Sequence, residues 1–296
     1  MTAARTGSVI ALGYACLDHR FWVEQFPPAR PRTRATSHRT AIGGPAAVGA
    51  VAVVRLGGAA SLVARVGDDM EGARLAALLG QEGVDVGHVR AFTGAQTPAS
   101  AILVTPDGDR HIFAHHGEGL PEADDWVAPD LVERADVVLL DHTWPAGATG
   151  LAERARRRGL PVVLDLHRAT ETAWRLASLA THVIGDQELA AGGGGVERTL
   201  AAIRRAGAWG AVTLGAAGIA FDGGHMAAAL VQARDTTGAG DVLHGAFALG
   251  LAEGRSESEA LGFASAAATE HCRQGAVPRR ADVDRAVGVR ASTETT

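Results

Sequence analysis

Residues 234–247 read Arg234-Asp235-Thr236-Thr237-Gly238-Ala239-Gly240-Asp241-Val242-Leu243-His244-Gly245-Ala246-Phe247. A polar turn runs into Gly238-Ala239-Gly240, and Val242, Leu243, Ala246, Phe247 and Leu249 follow at helical spacing. The glycines therefore open a helix. Its first turn leaves backbone N–H groups unpaired, glycine lets a ligand approach the backbone, and the helix dipole favours negative charge. The stretch reads as an anion cradle with a carboxylate, Asp241, at its mouth. A carboxylate beside a phosphate cradle repels phosphate, so Asp241 is better suited to taking the proton of a hydroxyl that attacks a terminal phosphoryl group. By itself the pattern is also an ordinary glycine-rich helix start with an early acid.

The seven residues Asp235 to Asp241, followed by a small and apolar helix, resemble the signature of the PfkB, or ribokinase-like, carbohydrate kinases. The resemblance implies a doubly wound α/β fold with a mainly parallel sheet, helices on both faces and a small β lid from two separated segments. It implies transfer of the ATP γ-phosphoryl group to a sugar hydroxyl. Asp241 is then the general base, and the amides of Gly238, Ala239 and Gly240 form the anion hole.

At 296 residues the chain is long enough for one large α/β domain. The expected division is a kinase domain over 1–290, with lid segments at about 19–41 and 98–116, and a polar tail over 291–296. A formal charge of −5 offers no basic surface for nucleic acid. No stretch approaches the ~18 uncharged apolar residues of a membrane span, and a cytoplasmic protein is expected. Cys16 and Cys272 are the two cysteines, so free thiols are expected rather than a disulfide framework. Lysine and asparagine are absent, and all 28 basic residues are arginine. That excludes a lysine-dependent phosphate loop and Schiff-base chemistry.

Taken in order, Ser8 to Leu12 is a short apolar run read as a buried strand, ending at Gly13 with Asp18 five residues on. Asp18 is open to two readings, turn capping or ligand binding; the resemblance implies that it grips sugar hydroxyls. From Phe21 to Thr40, short extended pieces are broken by Pro27, Pro28 and Pro31 and carry Arg30, Arg32, Arg34 and Arg39. Between Ser100 and His116, two apolar runs flank Pro106-Asp107-Gly108-Asp109, a hairpin signal. The two regions are expected to pair into a lid that excludes water and serves a homodimer. Gly43-Gly44-Pro45 opens a helix closed by Gly57-Gly58. The resemblance sets Gly43 and Gly44 against the sugar, with Val48 where the family carries asparagine. Gly67-Asp68-Asp69 before the next helix reads as capping.

Alternation of strand and helix resumes after Asp136 and indicates βαβ units. Asp141, His142, Asp165 and His167 fall at strand ends, where each either meets ligand or caps a helix. At Gly185-Asp186-Gln187-Glu188 the family's Asn-x-x-Glu keeps its acid and loses its amide. The resemblance makes Glu188 an organiser of Mg²⁺ through water, while a first-turn acid on a helix is the plain alternative. Thr213, Gly215 and Gly218 resemble the element that passes the nucleotide, with Gly238 and Gly240 completing the ATP-binding set. Asp235 and Thr237 match the family's monovalent-cation turn, so K⁺ joins ATP and Mg²⁺ among the implied ligands. Histidines 111, 115 and 116 lack the supporting acids of a metal site.

Several strings, such as Arg65-Val66-Gly67-Asp68-Asp69 and Asp241 to Ala246, look most like the sulfoquinovose or sulfosugar branch. Thr143 and Trp144, however, stand where an arginine for a sulfonate is expected before tryptophan. A neutral sugar is the first reading. A nucleoside whose base rests on Phe21, Trp22 and Val48 is the second, and a sugar-responsive binding protein without catalysis is the third.

Overall fold

The computed structural model describes residues 6–26, 32–106 and 110–293. Pro27, Pro28, Arg30, Pro31 and the hairpin residues Asp107-Gly108-Asp109 lie outside the described residues.

The strands are β1 (Ser8–Leu12), β2 (Cys16–Trp22), β3 (Ser37–Gly43), β4 (Ala59–Gly67), β5 (Asp85–Phe92), β6 (Ala99–Val104), β7 (Arg110–His115), β8 (Val137–Asp141), β9 (Val162–Leu166), β10 (His182–Gly185), β11 (Trp209–Thr213), β12 (Ile219–Phe221) and β13 (Gly224–Met226). The helices are α1 (Pro45–Arg55), α2 (Met70–Gln81), α3 (Pro145–Arg157), α4 (Glu171–Ala177), α5 (Gln187–Gly192), α6 (Val196–Arg205), α7 (Ala239–Ala252), α8 (Glu257–Gln274) and α9 (Arg280–Thr293).

The main sheet has the order β13-β12-β11-β10-β9-β8-β1-β4-β5. It is parallel from β11 to β5, and β12 and β13 are antiparallel additions at one edge. On β1, Val9 and Ala11 join the core on one face while Ile10 and Leu12 join the core on the other. That is why the strand is an unbroken apolar run: both faces are covered. Residues of α1, α2, α7 and α8 fill the first core, and residues of α3, α4 and α6 the second. The chain therefore has the expected ribokinase-like α/β fold.

Helices α1 and α7 meet at two glycines. A Cβ on Gly245 would collide with the Gly49 backbone, so the small residues let two helix starts lie side by side. Outside the main sheet, β3-β2-β6-β7 forms a second sheet. In it β2 pairs antiparallel with β3, setting Asp18 opposite Ala41 and Arg20 opposite Arg39, and parallel with β6.

Three differences from the sequence reading appear. Asp18 is neither in a turn nor a helix cap; it lies within β2 of the smaller sheet. Strand β5, at the sheet edge and alternately exposed, carries too many polar residues to read as a buried strand. The expected polar tail from 291 continues α9 as far as Thr293. Asp282 accepts from the Arg279 N–H, and Arg280 pairs with Asp284 one turn on, which gives the helix a capped start. Among the described residues no helix is long and apolar enough to cross a membrane.

Candidate active site

The first turn of α7 is open. Gly238 holds the N-cap position in the left-handed region, φ +83°, and no side chain caps the start. Ala239 N–H turns back to the Thr236 carbonyl at 3.2 Å, so of the three amides expected to face an anion this one is already engaged. Among the described residues, the Gly238 and Gly240 amides meet no protein acceptor. The preceding turn is rigid: Thr237 N–H donates to Asp235 Oδ1 at 2.8 Å, and His271 Nε2 lies 2.8 Å from the Thr237 carbonyl.

Across from this start, Gly44 caps α1, also at positive φ, +93°, and also with no side-chain cap. Gly43 leaves room for the Asp18 carboxylate, whose place a Cβ there would occupy. Asp18, Gly43, Gly44, Val48, Thr237, Gly238 and Asp241 line one cavity of about 320 Å³. Its roof is β2 and β3 of the smaller sheet, which contribute Arg20 and Arg39 as well.

The charges in this cavity are unequal in their partners. Asp18 is buried and raised above the usual carboxylate range by desolvation, against the pull of Arg20 at 3.4 Å. Arg20 also reaches Asp235 Oδ2 at 2.7 Å, tying the roof to the turn before α7, and Arg110 on β7 donates to Thr236 Oγ1 at 2.6 Å. Asp241 receives no hydrogen bond from the described residues. Burial and the neighbouring Asp165 push it up to about 7, with His167 pulling the other way. Buried Asp141 is spent on structure, accepting from Tyr14 N–H at 2.6 Å and from the Thr143 N–H and hydroxyl.

Behind Asp241 lies a knot of acids and imidazoles. His167 Nε2 stands 2.9 Å from Asp165 Oδ1 and its Nδ1 2.9 Å from Asp186 Oδ2. Atoms of Asp165, Asp241 and His244 lie within 4.8 Å of one another. A protein cation, His167, already stands against Asp165 there.

The cavity thus brings together Asp18, Gly43, Gly44, Thr237, Gly238 and Asp241. Thr213, Gly215 and Gly218 lie in the β11–β12 connection instead, where Gly215 and Gly218 take positive φ of 58° and 95°; Gln187 Nε2 ties this connection to α5 through the Leu214 carbonyl. Glu188 is exposed on the first turn of α5, which Asp186 caps, and its carboxylate has no protein partner among the described residues. Asp235 and Thr237 sit together in the turn before α7, where Asp235 accepts from Arg20 and from the Thr237 amide, one on each oxygen, and the Thr237 carbonyl faces His271. His111 packs on Phe113 and Phe26, and His116 on Tyr14. Arg20 went unread in the sequence, although Asp18-x-Arg20 on one strand puts both side chains on one face. His244 stood unassigned within the cradle stretch, and only the fold brings it to Asp165.

The pfkB family carbohydrate kinase model matches residues 6–277. A ribokinase from Bacillus subtilis is 27% identical over 297 residues, spanning 94% of this chain and 98% of its own. Among solved structures, "a putative ribokinase from Agrobacterium tumefaciens" superposes with a TM-score of 0.92 at 30% identity, covering 97% of this chain and 99% of the other. Arabidopsis thaliana ribokinase complexed with ribose and ATP gives 0.80 at 26%, covering 96% and 99%. A family model spanning nearly the whole chain, over a fold with an open glycine helix start and an unspent acid, leads to one conclusion: the chain is a kinase of the pfkB carbohydrate kinase family.

Proposed function

We propose that the chain transfers the γ-phosphoryl group of ATP to a hydroxyl of a sugar or sugar derivative, with Asp241 as general base. One observation carries the reading. Asp241, an acid that no protein donor satisfies among the described residues, lines the same cavity as Asp18 beside an uncapped glycine helix start. Asp18, with Gly43 and Gly44 behind it, receives the acceptor's hydroxyls. Asp241, pushed up to about 7, is matched to taking a hydroxyl proton near neutral pH. The Gly238 and Gly240 amides face the charge that develops on the transferred group, and Ala239 shapes the turn between them.

On the nucleotide side, the backbone at Thr213, Gly215 and Gly218 passes ATP. Mg²⁺ travelling with ATP would offset the charge of the leaving phosphates, and the free carboxylate of Glu188 suits holding it through water. No step is routed through K⁺.

A neutral sugar remains the first acceptor. Thr143 is bonded to Asp141 and Trp144 is 1% exposed with its indole on the Glu122 carbonyl, so neither is free to hold a sulfonate. Of the lid arginines that could hold a sulfonate in place of Thr143, Arg39 lines the cavity, Arg32 and Arg34 are exposed elsewhere, and Arg30 lies outside the described residues. A nucleoside is the second reading, favoured by an apolar wall of Ile42, Val48, Val51 and Leu78 in the same cavity. A homodimer through the lid is supported by β7, exposed along its length and presenting Ile112 and Phe113.

The test is Mg²⁺-dependent ADP release over a panel of sugars, sulfosugars and nucleosides, with the phosphorylated acceptor identified by mass spectrometry. Release stimulated by one acceptor and accompanied by its phosphate ester establishes the reaction. ATP binding without phosphorylation of any acceptor in the panel counts against it.

A further inference from the structure

Asp241 is crowded by acids from every side. Asp18 faces it from β2 with the Cys16 thiol nearby, Asp141 from the end of β8, Asp165 from β9, and His244 from its own helix. Arg20 belongs to Asp18 and Asp235, at 3.4 and 2.7 Å, and is already neutralised by them. His244 has Nε2 at 3.3 Å from the Ile184 carbonyl and 3.4 Å from Asp165, while its buried Nδ1 has no partner among the described residues.

His167 is different. Both of its ring nitrogens stand 2.9 Å from carboxylate oxygens, Nε2 from Asp165 and Nδ1 from Asp186. Nδ1 makes a hydrogen bond with Asp186, while Nε2 meets Asp165 as an ion-pair contact. Between two carboxylates, with the charge of Asp165 the larger cause, the ring is held as an imidazolium and pushed up to about 12. Its position is fixed as well, since Asp186 is itself held at the start of α5 by the Leu189 N–H at 2.8 Å. The ring also meets His142 and His244 edge-on, with centroids at 5.9 and 6.4 Å.

We propose that His167 is the internal counter-cation of the base: a positioning residue that, clamped between Asp165 and Asp186, keeps the Asp241 carboxylate ionised among its acidic neighbours. The inference rests on Asp241 being the base, but its geometry stands apart from turnover. Asp165 carries the effect inward. Burial opposes its charge, yet His167 and His244 hold it below the usual range, and the charge of the His167–Asp165 pair is thereby balanced beside Asp241. Without the imidazolium, Asp241 faces Asp165, Asp141 and Asp18 with no cation of its own and takes up a proton at neutral pH.

The experiment is carboxyl and imidazole NMR on the full chain, with the Asp241 signal assigned by its loss in Asp241→Asn. In the wild type the Asp241 midpoint is expected near 7 and the His167 ring still protonated at about pH 8. His167→Gln should raise the Asp241 midpoint by about one pH unit or more, a tenfold gain in proton affinity, and His167→Lys should bring it back. A role in packing alone would lower the melting temperature of His167→Gln and leave the midpoint where it was, which overturns the proposal. Should His167→Gln fail to fold, the wild-type ring decides, because a neutral His167 at about pH 8 overturns the proposal equally. Neither readout needs an acceptor. Failure of phosphoryl transfer would therefore sink the proposed function and leave this inference to be judged by the two titrations.

Discussion

Helix α2 follows Gly67-Asp68-Asp69, and α7 follows Gly238 with Asp241 in its first turn. At α2, Asp69 accepts from the Gly72 N–H at 2.8 Å, the Thr97 N–H at 2.8 Å and the Thr97 hydroxyl at 2.6 Å. Its donors outweigh the desolvation that burial brings and hold its carboxyl below the usual range. At α7 the cap is glycine, and among the described residues the amides of Gly238 and Gly240 are unspent and the acid receives no hydrogen bond; it is pushed up to about 7. The same kinds of residue make a finished helix end in one place and an unfinished one in the other. An unfinished helix start is a place where a ligand supplies the missing partners.

The contrast breaks most visibly at Asp241. Asp241→Asn should lower turnover by about 10²–10⁴-fold while leaving ATP affinity nearly unchanged, by steady-state kinetics and calorimetry. Comparable activity in the variant would place the base elsewhere. Next comes Gly238→Ala, where the nearest atoms to a new Cβ are 3.6 Å away, so strain and not collision is the cost. Holding a left-handed alanine costs about 1–2 kcal/mol, and ATP binding should weaken about tenfold as the turn relaxes. Undiminished binding would show that the amides of this turn do not hold the nucleotide.

The third expectation concerns stability. The folded value of Asp241, about 7, lies above that of an unfolded chain, so its stabilising contribution is complete at low pH and lost as pH rises through 7. At about pH 8 the ionised carboxylate is a burden, and Asp241→Asn should melt higher by roughly 2–5 °C, an advantage that fades in acid. Asp69 behaves oppositely. Its lowered carboxyl stabilises above the unfolded value and stops doing so as pH falls through the folded one. Asp69→Ala should cost about 1–2 kcal/mol in denaturant melts at neutral pH with turnover per folded molecule unchanged. Lost turnover there would mean that the two helix starts share the chemistry.

Much of this was legible in local spacing. Strands such as β1, β8 and β9 are covered on both faces and so read as continuous apolar runs, and the cradle at Asp235 to Asp241 is seven adjacent residues. Strand β5 escaped because an edge strand keeps polar residues on its open side. Asp18 appeared as the end of a turn because nothing in Gly13 to Asp18 announces that the chain crosses into a second sheet. The clamp on His167 joins β9 to the start of α5, and the Arg20–Asp235 pair spans 215 residues. Neither leaves a periodic trace. Val48 stands at the resembled family's asparagine and Thr143 at the sulfosugar branch's arginine, both visible in the letters, but only the fold gives Thr143 its partner in Asp141.

The most direct test of an unfinished helix start holding a poised base is the pH dependence of turnover with whichever acceptor is phosphorylated. The account predicts that kcat/KM for the acceptor climbs through a midpoint near 7, falling about tenfold per unit on the acid side, and that the residual rate of Asp241→Asn lacks this limb. A wild-type profile flat across neutrality, or the same acid limb persisting in Asp241→Asn, would contradict it.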